Sequence, residues 1–153
     1  MKYDVFGVGN AIVDIVTEVE DTFFAKNEVE KGVMTLVDEQ RQHHLMNAID
    51  MKKSRISGGG SAGNTVVALS QFGGTSFYAC LVAHDDLGKF FLDDLKHHGV
   101  DTDLKFDSCP IGHTGRCLVM TSPDAQRTMN TFLGVSALLS PEHVNERAIV
   151  NSK

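Results

Sequence analysis

The chain reads as an α/β protein with a partly parallel sheet. Three observations carry this reading. Short β-branched or apolar runs alternate with segments of helical spacing, in the order strand, helix, strand, helix, with extra strands between. Glycines fall where the helical spacing stops. The composition, 42% hydrophobic and 22% charged over 153 residues, is that of an ordinary globular chain of one-domain length.

Tyr3 to Val8 is a short apolar run entering the loop Gly7-Val8-Gly9-Asn10, as a buried strand does. Ala11 to Val19 is β-branched and extended, with Asp14 its one early charge. Asp38 is an N-cap for a helix carrying Leu45, Met46 and Ile49 on one face. After the cluster Ser57 to Asn64, a helix is expected over 64–72, stopped by Gly73-Gly74. Thr75 to Ala83 is a strand by composition. Asp85 or Asp86 opens a second helix that buries Phe90, Phe91 and Leu95 and ends at Gly99. Thr114–Thr121 and Arg127–Leu133 are two strands around the turn Ser122-Pro123-Asp124-Ala125. Ser140-Pro141-Glu142 is a helix start.

The net charge of −6 and a pI near 5.5 argue against nucleic acid or an anionic membrane as partner. No apolar run approaches the ~18 residues of a membrane span, and the N-terminus reaches Asp4 and then glycines too early for a signal peptide. Cys80, Cys109 and Cys117 are odd in number and lack C-x-x-C spacing, so a reducing cytoplasm is expected. His43-His44 and His97-His98 are adjacent pairs, which point about 100° apart on a helix and chelate poorly, so no metal site is expected. Asp85-Asp86 complements a helix dipole better than it binds magnesium.

Two glycine-rich motifs need a decision. Gly7-x-Gly9 follows a strand, but the third glycine of a dinucleotide fingerprint would be Ile12. Gly58 to Thr65 has the spacing of a phosphate loop, but Asn64 stands where its lysine should be, leaving the phosphate charge unbalanced. Both readings are rejected. Asn10, Asp14, Asn64 and the glycine amides instead suit a polyol. A carboxylate accepts from neighbouring hydroxyls, an amide donates and accepts, and glycine allows close approach. Residue types alone leave a plainer alternative, with Asn10 a turn residue, Asp14 a solvated charge and Asn64 an N-cap.

Four segments in order carry a resemblance: Gly9-Asn10-Ala11-Ile12-Val13-Asp14-Ile15; Gly58 to Thr65 with Ala68 and Gly73-Gly74; Asp85-Asp86-Leu87-Gly88 with Leu95 to Gly99-Val100; and Arg127 to Gly134. The sequence resembles the N-terminal half of the ribokinase-like, or PfkB family, sugar and nucleoside kinases. The last segment is most similar to their adenosine-kinase branch. Ala83-His84 depart from the family's usual glycine.

The resemblance implies the N-terminal portion of a three-layer α/β/α sandwich with a small β-sheet lid; strands near 12–19, 33–37 and 114–121 would contribute to that lid or to the core beside it. It implies ATP- and Mg²⁺-dependent transfer of a phosphoryl group to a primary hydroxyl of a nucleoside or sugar. Asn10 and Asp14 would hold substrate hydroxyls, with Gly59, Gly60 and Asn64 around the same sugar. Cys117 would contact the base, and Arg127 would lie near the transferred phosphate. The family's D-T-x-G-A-G-D segment, with its catalytic base, has no counterpart here. The chain is therefore expected to be a single incomplete kinase domain over 1–153, inactive alone and binding no nucleotide tightly. It would pair through lid strands or associate with a C-terminal half. The alternatives are a non-catalytic binding or oligomerising module, or a fragment of a ribokinase- or fructokinase-like sugar kinase.

Overall fold

The computed structural model describes residues 2–153 and divides them into two compact units. One holds the residues up to Val13, Gly58–Gly115 and Leu133–Lys153; the other holds Asp14–Ser57 and Arg116–Phe132.

The first unit is built on two parallel strands, β1 (Val5–Val8) and β5 (Ser76–Ala79), with Val5 opposite Ser76 and Val8 opposite Ala79. Strand alternation sends Gly7 and Tyr78 to one face and Phe6 and Phe77 to the other. On the first face Tyr78 packs with Val66 of α3 (Ser61–Gln71) and with Phe91 and Leu95 of α4 (Asp86–His97). On the second, Phe77 stacks on Phe6 at 5.4 Å and meets Tyr3 and Ala148 of α5 (Glu146–Val150). Helices therefore cover both faces of the pair, the layering that parallel strands require.

Both long helices carry the predicted stops. In α4, Gly99 takes φ +72°, and the Val100 N–H reaches the Leu95 carbonyl at 3.0 Å while both side chains pack in the core. In α3 the Gly74 N–H bonds the Leu69 carbonyl in the same way.

The second unit is organised by a five-stranded sheet of order β3-β7-β6-β2-β4. Its strands are β2 (Ile12–Glu18), β3 (Met34–Leu36), β4 (Arg55–Gly59), β6 (Gly115–Thr121) and β7 (Arg127–Phe132). β6 and β7 form the predicted antiparallel hairpin, and β3 runs parallel to β7. One face packs on α1 (Asp21–Lys26) and α2 (Glu39–Ala48), where Ile15, Leu118 and Met120 meet Phe24 and Leu45. Asp38 caps α2 as predicted, accepting from the Arg41 N–H at 2.7 Å.

The structure corrects several local expectations. β1 is not buried: Val5 and Val8 are 37% and 49% exposed, because β1 borders its pair and the bridge on its far side, Tyr3 to Ser152, lies before the strand begins. β5 stops at Ala79 because its partner strand leaves the ladder at Gly9, although Cys80 to Ala83 stay buried. α3 begins at Ser61 rather than Asn64, since β4 runs as far as Gly59 and Gly60 alone makes the bend. Pro141–His143 is a single 3₁₀ turn, closed by Ser140 and His143, and α5 starts later under an Asn145 cap. Among the described residues no helix is long and apolar enough to cross a membrane.

Candidate functional site

The sequence-predicted residues fall in both units. Asn10, Gly59, Gly60 and Asn64 belong to the first; Asp14, Cys117 and Arg127 belong to the second.

In the first unit the loop after β1 is locked to the start of α3. Gly60 takes φ +88° and ψ 137°, a region open essentially to glycine alone. A Cβ there would stand 2.5 Å from the Asn10 carbonyl oxygen. That carbonyl accepts a bond from the Tyr78 hydroxyl at 3.1 Å, and the Gly63 N–H donates to the same hydroxyl. Gly9 lies as close on the other side, since a Cβ would come within 2.8 Å of Ala62 Cβ. Burial raises the Tyr78 phenol well above its usual range, so it stays a neutral donor. Tyr78 carries no functional signal in the sequence, yet it fixes the Asn10 backbone.

Gly59 is buried where β4 ends, while Asn10 and Asn64 are exposed. Asn64 is not the cap of α3: its N–H already bonds the Gly60 carbonyl at 2.8 Å inside the first turn. Its amide is left to face solvent. The Thr65 hydroxyl donates to the Ser61 carbonyl at 2.8 Å within its own helix.

In the second unit strand alternation decides the site. Ile15, Leu118, Met120, Thr128 and Asn130 are buried, the first three in the core beneath the helices. Their alternates Asp14, Cys117, Arg127 and Thr131 therefore share the opposite face. Cys117 stands directly across from Thr131 in the hairpin register. Burial pushes the Cys117 thiol up; a hydrogen bond with Thr131 opposes this, while Asp14 adds to it and Arg127 offsets it. Asp14 is half-buried, and that burial raises its carboxyl above the usual range while the Arg127 guanidinium pulls it back. Arg127 itself is exposed. These three residues are thus one electrostatic group, which the sequence named individually. Thr131 was missed, and only the hairpin register pairs it with Cys117.

The other candidates take structural places. Asp85 caps α4 through the Gly88 N–H at 2.8 Å. His43, His44 and His97 are exposed, and His98 faces Asp94 at 3.6 Å. Phe91 is a core residue, with Phe90 packed against that core. Cys80 and Cys109 are buried in the same core. Among the described residues no three His, Cys, Asp or Glu side chains gather as a metal site.

Residues 30–153 match the model of a family described as pfkB family carbohydrate kinase. Among solved structures the chain is similar to an adenosine kinase from Sinorhizobium meliloti, at 36% identity and a TM-score of 0.88, covering 100% of this chain and 46% of that one. It is similar to a probable sugar kinase from Rhizobium etli CFN 42, at 35% identity and a TM-score of 0.88, covering 99% and 45%. It shares its fold with an adenosine kinase from Schistosoma mansoni in complex with 2-fluoroadenosine, at 24% identity and a TM-score of 0.84, covering 99% and 46%. The chain spans about half the length of these structures.

Proposed function

The chain belongs to the pfkB family of carbohydrate kinases, and from that premise we propose that it is the substrate-binding half of an ATP-dependent nucleoside kinase of the adenosine-kinase type. The observation that carries this reading is the grouping of Asp14, Cys117 and Arg127 on one sheet face, with Arg127 offsetting the burial of Asp14. A half-buried carboxylate is costly unless it is paired or hydrogen-bonded. Here it accepts from the hydroxyls of a ribose-like ring, and Arg127 favours its ionised, accepting form. Among the described residues no carboxylate lies at hydrogen-bond distance from Arg127, which leaves its planar donors for phosphoryl oxygens as charge develops. Cys117 lies beside the base. The first unit by itself offers the Asn10 and Asn64 amides and the backbone at Gly59 and Gly60 as polar groups suited to sugar hydroxyls.

When bound, ATP with Mg²⁺ supplies the phosphoryl group; among the described residues no cluster of acids gathers as a metal site. The sequence holds no G-A-G-D segment, so the chain alone binds substrate without transferring phosphate. Its place is the cytoplasm, in keeping with three free cysteines. A second copy joined through lid strands, or a C-terminal half, would complete its assembly. Similarity to the probable sugar kinase favours a second reading, in which the substrate is a free sugar.

The test uses the purified 153-residue chain with Mg-ATP and a panel of adenosine, ribose and fructose. No ADP release is expected, together with binding of adenosine, seen as shifts of amide signals, that Asp14→Ala abolishes. Release dependent on one panel member overturns the claim of inactivity and names the substrate. Binding of ribose or fructose alone selects the second reading, and no binding by a folded chain removes both.

A further inference from the structure

The β6–β7 turn, from which Arg127 emerges, is held by a lysine distant in sequence. Lys31 Nζ donates to Asp124 Oδ2 at 2.9 Å and to Asp21 Oδ1 at 2.7 Å, joining α1 to the turn. Its chain is 28% exposed and its ammonium sits 5.9 Å from the Phe24 ring centroid. Asp124 is the hub of the turn: its Oδ1 takes the Ser122 hydroxyl at 2.6 Å and the Gln126 N–H at 3.4 Å. Ala125, a residue with a side chain, is held at φ +63°. The segment after Lys31 is laced to β7, with the Gly32 N–H on Thr128 Oγ1 and the Met129 N–H on the Val33 carbonyl, each at 2.9 Å.

Exposed ion pairs add little stability. An ammonium shared by two carboxylates, gripping a turn three residues from Arg127, is better explained by geometry. We propose that Lys31, acting through Asp124, is a positioning residue for Arg127, setting where its guanidinium lies over the sheet face that carries Asp14. Arg127 is the charge that acts on Asp14, and the Cys117 thiol is the other titratable group beside them. The consequence for phosphoryl transfer rests on the function proposed above; the positioning itself does not.

The Asp14 carboxyl, followed by carbon-detected NMR titration of the 153-residue chain, reports where Arg127 lies. Asp124 is held at about 2 by the Ser122 hydroxyl and Lys31, below Asp14, so Asp124 keeps its charge while Asp14 titrates. Asp124→Asn separates two explanations by sign. Removing a negative charge by itself lowers the Asp14 midpoint, whereas releasing Arg127 raises it. A rise is expected, in the same sense as for Arg127→Ala, with no further rise in the double variant. Lys31→Arg should keep the wild-type midpoint. If Asp124→Asn does not fold, Lys31→Gln serves: it should raise the midpoint in the wild-type background and leave it unmoved in Arg127→Ala. A lowered or unchanged midpoint in Asp124→Asn overturns the proposal, as does an unchanged midpoint in Arg127→Ala. Neither result bears on substrate binding or ADP release, which test the kinase reading separately.

Discussion

Asp85 and Thr114 clasp each other through two bonds: the Thr114 hydroxyl donates to Asp85 Oδ1 at 2.6 Å and its N–H to Oδ2 at 2.9 Å. The same Oδ1 caps α4, and the Thr114 hydroxyl in turn accepts from the Ala83 N–H at 3.0 Å. One carboxylate thus joins the end of a buried run, the start of a helix and the approach to β6. Asp85→Ala should cost at least about 4 kcal/mol, since a lost cap costs about 1 and each of the two bonds from Thr114 to a charged group about 1.5–3. Urea unfolding measures this, and a loss under about 1 kcal/mol would mean that water replaces the clasp.

Asp14 should make the protein less stable at neutral pH than its neutral isostere. Its carboxyl is raised from 3.8, first by burial, so the folded state holds its proton more tightly than the unfolded chain does. Stability then falls as pH rises from the unfolded value through the folded one. Asp14→Asn should melt higher than wild type at pH 7, with the difference gone by about pH 3, where both side chains are neutral. Equal melting temperatures at pH 7 would mean that Arg127 fully offsets the burial.

Two glycines of one motif should respond oppositely to alanine. At Gly60 a Cβ would stand 2.5 Å from the Asn10 carbonyl at φ +88°, and neither backbone can move without breaking the loop. At Gly63 the nearest atom would be Tyr78 at 3.6 Å, an ordinary contact. Gly60→Ala should displace the Asn10 amide signal and abolish substrate binding; Gly63→Ala should leave both nearly unchanged. Comparable effects would contradict the packing at one of the two sites.

Gln42 lies on the buried face of α2 with no exposed surface, and its side-chain nitrogen and oxygen have no partner among the described residues. Leaving such groups unpaired costs about 1–3 kcal/mol, so Gln42→Leu should stabilise the chain by about 1 kcal/mol. Thermal melts decide this; a lower melting temperature would reveal a buried water holding the amide.

Local chemistry made much of this protein legible beforehand. Asp38 and Asp85 as caps, Gly73 and Gly99 as helix stops, the hairpin around Pro123 and the alternation of β2 all act within a few residues. A single sequence therefore determines them. The candidate residues were legible by type, and the order of four motifs pointed to the family that the chain matches over 30–153. What escaped was long-range. Nothing between residues 58 and 64 distinguishes a glycine-rich loop from a strand that ends at Gly59 and bends at Gly60; the Asn10 carbonyl, fifty residues earlier, imposes that bend. Thr114 under Asp85, Thr131 beside Cys117 and Lys31 on Asp124 are likewise pairings across 14 to 93 residues. The sequence by itself determined which residues could bond, cap or turn. Which of them meet was decided by the tertiary structure, because strand register and helix packing bring distant groups within the few ångströms over which hydrogen bonds and buried charges act.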